Sequence, residues 1–335
     1  MTATGATILG CLEPALSTDE RTFFREADPW GFILFARNVE TPDQLRRLNG
    51  DLREAVGREA PIFVDQEGGR VQRLRAPHWR EWAPPLDAVA AAGAKAPRVM
   101  NLRYQLIAAE LRAVGIDGNC APTADLATEV THPFLRNRCY GNTLQTVIDV
   151  AREVASGLLA GGVLPVMKHM PGHGRASLDT HLELPLVTAG AEELAATDFA
   201  VFHALRDLPL GMTAHIVFPA FDDKPSTSSA TMVKVIRQNI GFDGLLMTDD
   251  LSMQALSGTL GERAEAARAA GCDVMLHCNG KREEMEEVVA AAGRLSDPAQ
   301  RRAAAALARR IVPDHVDIAA LEAELSALME GRGPA

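Results

Sequence analysis

The sequence predicts an α/β fold, a single (β/α)8 barrel of the TIM type with extra C-terminal helices. Three observations carry that expectation. Short apolar runs recur eight times along the 335 residues. Stretches of helical periodicity separate most of them, and several end in charged or imidazole side chains. An open, doubly wound sheet is the alternative for the same alternation.

The eight runs are "ATILGC" (6–11), "GFILFA" (31–36), "PIFVDQ" (61–66), "GNCAPTADL" (118–126), "VLPVMKH" (163–169), "LGMTAHI" (210–216), "GLLMTDD" (244–250) and "CDVMLHC" (272–278). Their middles are apolar without clean alternation, as in strands covered on both faces. "TPDQLRRLNGDLREAV" reads as a helix with a Thr cap and a Pro in its first turn. "LQTVIDVAREVASGLLAGG" and "ATMVKVIRQNIG" read as helices stopped by glycine. From about 281 to 335 the chain is rich in Ala, Glu and Arg at helical spacing, which predicts helices closing on the barrel exterior. No linker interrupts it, so residues 1–335 are expected to form one catalytic domain.

Composition narrows the function. Apolar residues make up 47% and charged residues 23%, ordinary for a globular chain. A net charge of −10 argues against nucleic acid or an anionic membrane as partner. No run approaches the roughly 20 apolar residues of a membrane span. Five cysteines, with no CxxC or Cys/His pair at zinc spacing, read as reduced, buried thiols. "ILGC" near the N-terminus faintly resembles a lipoprotein cleavage site, but no Lys or Arg precedes it. It reads better as a first strand, and the protein is expected in the cytoplasm. No G-x-G-x-x-G or G-x-x-x-x-G-K-[ST] follows a run, so no nucleotide cofactor is expected.

The polar strand ends point to chemistry. The third run leads to Asp65, Glu67, Arg70 and Arg73; the fifth to Lys168 and His169; the sixth to His215; the seventh to Asp249 and Asp250. In a barrel these ends share one mouth. Carboxylates, cations and imidazoles together suit a substrate rich in hydroxyls. Adjacent Asp249 and Asp250 point to opposite sides of a strand. One is expected to face the mouth, as nucleophile or electrostatic stabiliser, and the other to brace a loop or cap "LSMQAL". In "KHMPGHGRASLDTH" (168–181), Asp179 beside His181 makes a proton shuttle, since the carboxylate sets the imidazole's tautomer and raises its basicity. His169, His173 and His181 lack helical metal spacing, so no metal site is expected. For each histidine alone, a structural hydrogen bond is the default; for His173 it is a bond bracing the loop.

The same stretch closely resembles the "KHFPGHG…DSH" signature of family 3 glycoside hydrolases, in their β-N-acetylglucosaminidase branch. "FVDQEGGRVQRL", "CAPTADL", "RNRCYG", "MTAHIVFPAFD" and "GFDGLLMTDDLSM" are similar to that family's other blocks, in the same order, from about Gly31 to Gly280. The resemblance implies removal of terminal, non-reducing β-linked N-acetylglucosamine with retention, here from cell-wall turnover fragments. It implies Asp249 as nucleophile and Asp179 with His181 as the acid/base dyad. It implies Asp65, Arg73, Arg138, Lys168 and His169 as the residues that hold the sugar. It calls for no cofactor or metal, a small carbohydrate as the only partner, and a monomer. Met170 stands where the family often has Phe, and Arg175 where Asp is usual. Two rivals remain. One is phosphorolysis, since a histidine repels phosphate less than a carboxylate would. The other is a barrel that binds sugar without turning it over.

Overall fold

The structure is a computed structural model and describes residues 3–177, 184–313 and 315–330. Each of the eight apolar runs contributes one strand to a single sheet. In chain order the strands are β1 (Gly5–Gly10), β2 (Pro29–Leu34), β3 (Ile62–Val64), a short hairpin of β4 (Gln66–Gly68) and β5 (Val71–Gln72), β6 (Gly118–Asn119), β7 (Leu164–Met170), β8 (Leu210–Thr213), β9 (Leu245–Met247) and β10 (Met275–His277). The sheet order is β10-β1-β2-β3-β6-β7-β8-β9, with every neighbouring pair parallel. A parallel bridge between Met247 and Val274 joins β9 to β10, with Thr248 donating to the Val274 carbonyl at 3.0 Å. The ends of the sheet therefore meet, and the fold is a (β/α)8 barrel rather than an open sheet. The strands are buried along their whole length, which is why the runs are apolar without alternation.

A helix follows every barrel strand. They are α1 (Thr18–Ala27) after β1, α2 (Pro42–Val56) after β2, α3 (Pro85–Ala92) and α4 (Ala96–Ala113) after the hairpin, α5 (Pro133–Arg136) and α6 (Leu144–Ala160) after β6, α7 (Ala191–Ala196) and α8 (Asp198–Ala204) after β7, α9 (Ala230–Lys234) after β8, α10 (Leu260–Ala270) after β9 and α11 (Arg282–Ala292) after β10. Helix α2 begins as its sequence suggests: Thr41 accepts from Gln44 N–H, Pro42 fills the first turn, and Gly57 ends it at φ 65°. The helix expected over "ATMVKVIRQNIG" is capped by Ser229 but widens into a π turn over Val235–Asn239 before Gly241.

Two helices lie beyond the barrel, α12 (Asp297–Ala308) and α13 (Ile318–Glu330). Both are tied down by arginines. Arg302 on α12 reaches Asp243 and Asp273. Arg310 just past α12 joins Arg53 on Asp117, whose other oxygen accepts from Ile62 N–H at 2.7 Å. Arg80 and Arg98 pair with Glu322 and Glu324 along α13. Among the described residues, no helix is long and apolar enough to cross a membrane.

Phe63 on β3 shows how the strands fit. It pairs in register with Gly118 on β6 and Ile33 on β2. A Cβ on Gly118 would collide with the Phe63 ring, and one on Gly31 would press on the ring's other edge at 3.3 Å. Glycine on both flanking strands makes room for one large side chain, and Trp30 packs on the same ring at 5.9 Å. Gly118→Ala therefore forces the ring from its site. The expected loss is about 1–3 kcal/mol, read as a lower midpoint in urea denaturation, while Gly50→Ala, where a Cβ meets nothing within 4 Å, leaves the midpoint unchanged or higher.

Candidate active site

The strand ends converge on one cavity of about 330 Å³, at the small end of the range for ligand pockets. Asp65 leaves β3, Lys168 and His169 end β7, and Asp249 follows β9; Arg73 follows the hairpin and Arg138 follows α5. All six border this cavity. The other two expected site residues, Asp179 and His181, lie outside the described residues.

The floor is a buried ion network. Lys168 is 2% exposed, and its Nζ lies 2.8 Å from Asp65 Oδ1 and 2.7 Å from Glu67 Oε1. Arg138 meets Glu67 with two parallel bonds, each 2.8 Å, and Arg73 reaches the other Asp65 oxygen at 3.0 Å. Burial alone would raise both carboxyls. For Asp65, Lys168 and Arg73 outweigh it and hold the group well below the usual carboxylate range. For Glu67, Arg138 and Lys168 do the same and bring it to about 2. The network exists because of the hairpin. Gly68 and Gly69 adopt φ 110° and 58°, which turns the chain so that Glu67 faces inward while Arg73 returns to Asp65. The hairpin was not expected from the sequence, although "EGGR" is its signal.

The adjacent aspartates lie past the end of β9 rather than on it, and both border the cavity, but their side chains are bonded differently. Asp250 is consumed in bracing. Its Oδ1 accepts from Ser252 N–H at 3.1 Å and Cys278 N–H at 3.2 Å, and its Oδ2 accepts from Ser252 Oγ at 2.6 Å. Among the described residues, the Asp249 side chain accepts one hydrogen bond, from Asp250 N–H at 2.8 Å. Burial pushes the Asp249 carboxyl up, but His215, His169 and Lys168 more than offset it, so it stays ionised below its ordinary value. His215 serves structure: Nε2 donates to the Asp250 carbonyl at 3.0 Å, and Nδ1 meets Thr227 Oγ1 at 2.8 Å.

His169 and His173 share a carboxylate that sequence reasoning missed. Asp125, fully buried, accepts from His169 Nδ1 at 2.8 Å, His169 N–H at 3.2 Å and His173 N–H at 2.7 Å. Its only signal was a lone acid in the apolar run "APTADLA". The bracing bond expected of the His173 ring comes instead from its backbone. The ring's Nδ1 makes no hydrogen bond among the described residues, and burial with neighbouring His169 lowers its pKa to about 3. The glycines of this loop are required by close approach: a Cβ on Gly174 would run into the Leu126 carbonyl. Arg175 pairs with Asp198 and Glu193, each at 2.7 Å, and so holds the loop to α7 and α8. Cys278 also borders the cavity, and burial pushes its thiol well above its ordinary value.

A parallel barrel with such a mouth defines a class, enzymes whose active site sits at the C-terminal strand ends. The glycosyl hydrolase family 3 N-terminal domain matches residues 12–312. A beta-hexosaminidase of Methylococcus capsulatus is 37% identical over 303 residues, covering 89% of this chain and 90% of that protein. One from Vibrio cholerae is 38% identical over 283 residues, covering 82% of each. The structure of NagZ from Neisseria gonorrhoeae in complex with N-trifluoroacetyl-D-glucosamine superposes with a TM-score of 0.86 at 27% identity, over 98% of both chains. A family 3 β-N-acetylglucosaminidase from Paenibacillus gives 0.85 at 29% identity, over 97% of this chain and 67% of that one. The chain belongs to glycosyl hydrolase family 3. It is a glycoside hydrolase of the beta-hexosaminidase type.

The ion network also sets an acid limit. Ionised Glu67 is stabilised more in the folded chain than in the unfolded one. That contribution is complete above its unfolded value of 4.5 and is lost as pH falls through about 2. Glu67→Gln leaves Lys168 and Arg138 short of a partner. It should cost about 3–5 kcal/mol at neutral pH and flatten the decline of stability between those two values, measured by denaturant titration across pH.

Proposed function

We propose that this enzyme is a retaining exo-β-N-acetylglucosaminidase. It removes terminal, non-reducing β-linked N-acetylglucosamine from cell-wall turnover fragments, such as N-acetylglucosamine joined to anhydro-N-acetylmuramic acid and its peptides. The observation that carries this reading is the contrast within one cavity. Asp65, Arg73, Arg138, Lys168 and His169 present charged and polar groups suited to sugar hydroxyls and an acetamido group. Beside them Asp249 is ionised and lightly bonded, whereas Asp250 is spent on the loop. The names of the relatives support the sugar.

Retention requires two displacements. Asp249 attacks the anomeric carbon while His181, oriented by Asp179, protonates the departing glycosidic oxygen. The neutral imidazole then takes a proton from water, and that water breaks the ester on Asp249. Every proton is carried by a side chain, so no step calls for a metal or cofactor. The whole chain acts as one catalytic unit, a cytoplasmic monomer with no partner besides its carbohydrate.

A chromogenic β-N-acetylglucosaminide, compared with the matching β-glucoside, tests the substrate. Product analysis in phosphate buffer distinguishes hydrolysis from phosphorolysis, because free sugar supports this reading and sugar 1-phosphate overturns it. Asp249→Ala should lower kcat at least about 10³-fold with folding intact. Asp250→Ala should lose about 1–3 kcal/mol of stability, from donors left unpaired, and keep measurable turnover. The opposite pattern would reverse the two roles.

His181→Ala should slow the natural disaccharide about 10²–10⁴-fold but spare the first step with a nitrophenyl glycoside, whose leaving group departs without a proton. The glycosyl-enzyme should then accumulate, seen as a burst and as added mass, and azide should restore turnover as a β-glycosyl azide. Equal losses on both substrates, with no burst and no rescue, would remove His181 from the proton-transfer role.

A further inference from the structure

We propose that Asp125 is a positioning residue for this reaction: its carboxylate sets the tautomer of His169, and so the hydrogen-bonding sense of the nitrogen left for the sugar. The proposal rests on the reading that the cavity holds a sugar and that His169 grips it. An ionised carboxylate can only accept. Asp125 Oδ2 lies 2.8 Å from His169 Nδ1, so Nδ1 carries a proton whether the ring is neutral or charged. The second ring nitrogen, Nε2, is thereby released for the cavity that His169 borders. When neutral, the ring accepts there from a sugar hydroxyl.

The other oxygen of the same carboxylate fixes where the ring sits. Oδ1 accepts from His169 N–H at 3.2 Å and from His173 N–H at 2.7 Å. One buried group therefore sets the ring's tautomer, its backbone anchor and the start of the Pro-Gly turn at 171–174. Burial opposes ionisation of Asp125, but His169 and then His173 outweigh it, and the carboxyl stays below its ordinary value. A carboxylate that served the turn alone could act through the two backbone bonds. The ring contact is the part that such a role leaves unexplained.

Asparagine separates the two duties. Its oxygen can keep both backbone N–H bonds, while its amide nitrogen faces Nδ1 and can only donate. The His169 proton must then move to Nε2, which inverts the sense of the nitrogen facing the sugar. The test is ring-nitrogen NMR of 15N-labelled protein, with the His169 signals assigned by their loss in His169→Gln. In the wild type Nδ1 should be protonated, and in Asp125→Asn the proton should appear on Nε2. On the chromogenic N-acetylglucosaminide, Asp125→Asn should lower kcat/KM about 10- to 100-fold. The double variant Asp125→Asn/His169→Gln should lose no more than His169→Gln alone, because both changes act through one ring. A bare Nδ1 in the wild type overturns the proposal. So does a double variant whose loss is the product of the single losses. The wild-type ring measurement decides even if Asp125→Asn does not fold. It also needs no turnover, so failure of the proposed activity would be seen separately.

Discussion

The mouth of this barrel depends on a lysine that is almost wholly buried, 2% exposed. Burying an ammonium is costly unless opposite charge meets it at close range. Lys168 is met twice, by Asp65 and Glu67. Two carboxylates around one lysine leave an excess of negative charge, and Arg73 and Arg138 answer it. These five groups come from the end of β3, the hairpin after it, the end of β7 and the segment following α5. Loops distant in sequence are thus held together by charge. Each polar side chain has little freedom, because moving one strands another in a low-dielectric interior.

That network leaves three cations against two carboxylates, a surplus that favours a further anion nearby. Asp249 fills the role. It remains ionised despite burial because imidazoles and Lys168 surround it. It also remains lightly bonded, because its neighbour Asp250 takes the bracing work. Two identical residues, both past the end of β9 and both bordering the cavity, thus differ in what binds them: Ser252 and the Cys278 N–H claim Asp250, while Asp249 accepts from one backbone N–H among the described residues.

Much of this was legible in the sequence for identifiable reasons. Strands covered on both faces must be apolar throughout, so "ATILGC" and "VLPVMKH" stand out. Several independent runs ending in charged or imidazole groups drew attention to Asp65, Lys168, His169 and the Asp249–Asp250 pair together, while the choice of Asp249 within the pair came from the family resemblance. What escaped notice shares another cause. Asp125 is one acid in an apolar exit from β6, and its importance lies in three donors from β7 and the turn beyond it, a relation only the folded chain displays. Glu67 was noticed as polar, but its partner Arg138 is 71 residues away. Helix α11 was grouped with the trailing helices, since Ala, Glu and Arg repeats do not distinguish a barrel helix from one packed outside it. The π turn after α9 leaves no mark at all in "VKVIRQN".

The thiol and the carboxylate that share the cavity have opposite chemical fates. Cys278 is kept protonated by burial, and a thiol reacts through its thiolate. Asp249 is kept as an anion. Soft electrophiles such as maleimides and acrylamides therefore meet Cys278 in its less reactive, protonated form. Hard, oxygen-seeking electrophiles carried on a sugar ring, such as epoxides, aziridines and activated fluoroglycosides, meet a carboxylate already charged. With Asp249 as the nucleophile proposed above, covalent inhibitors and activity-based labels for this enzyme belong to that second chemistry.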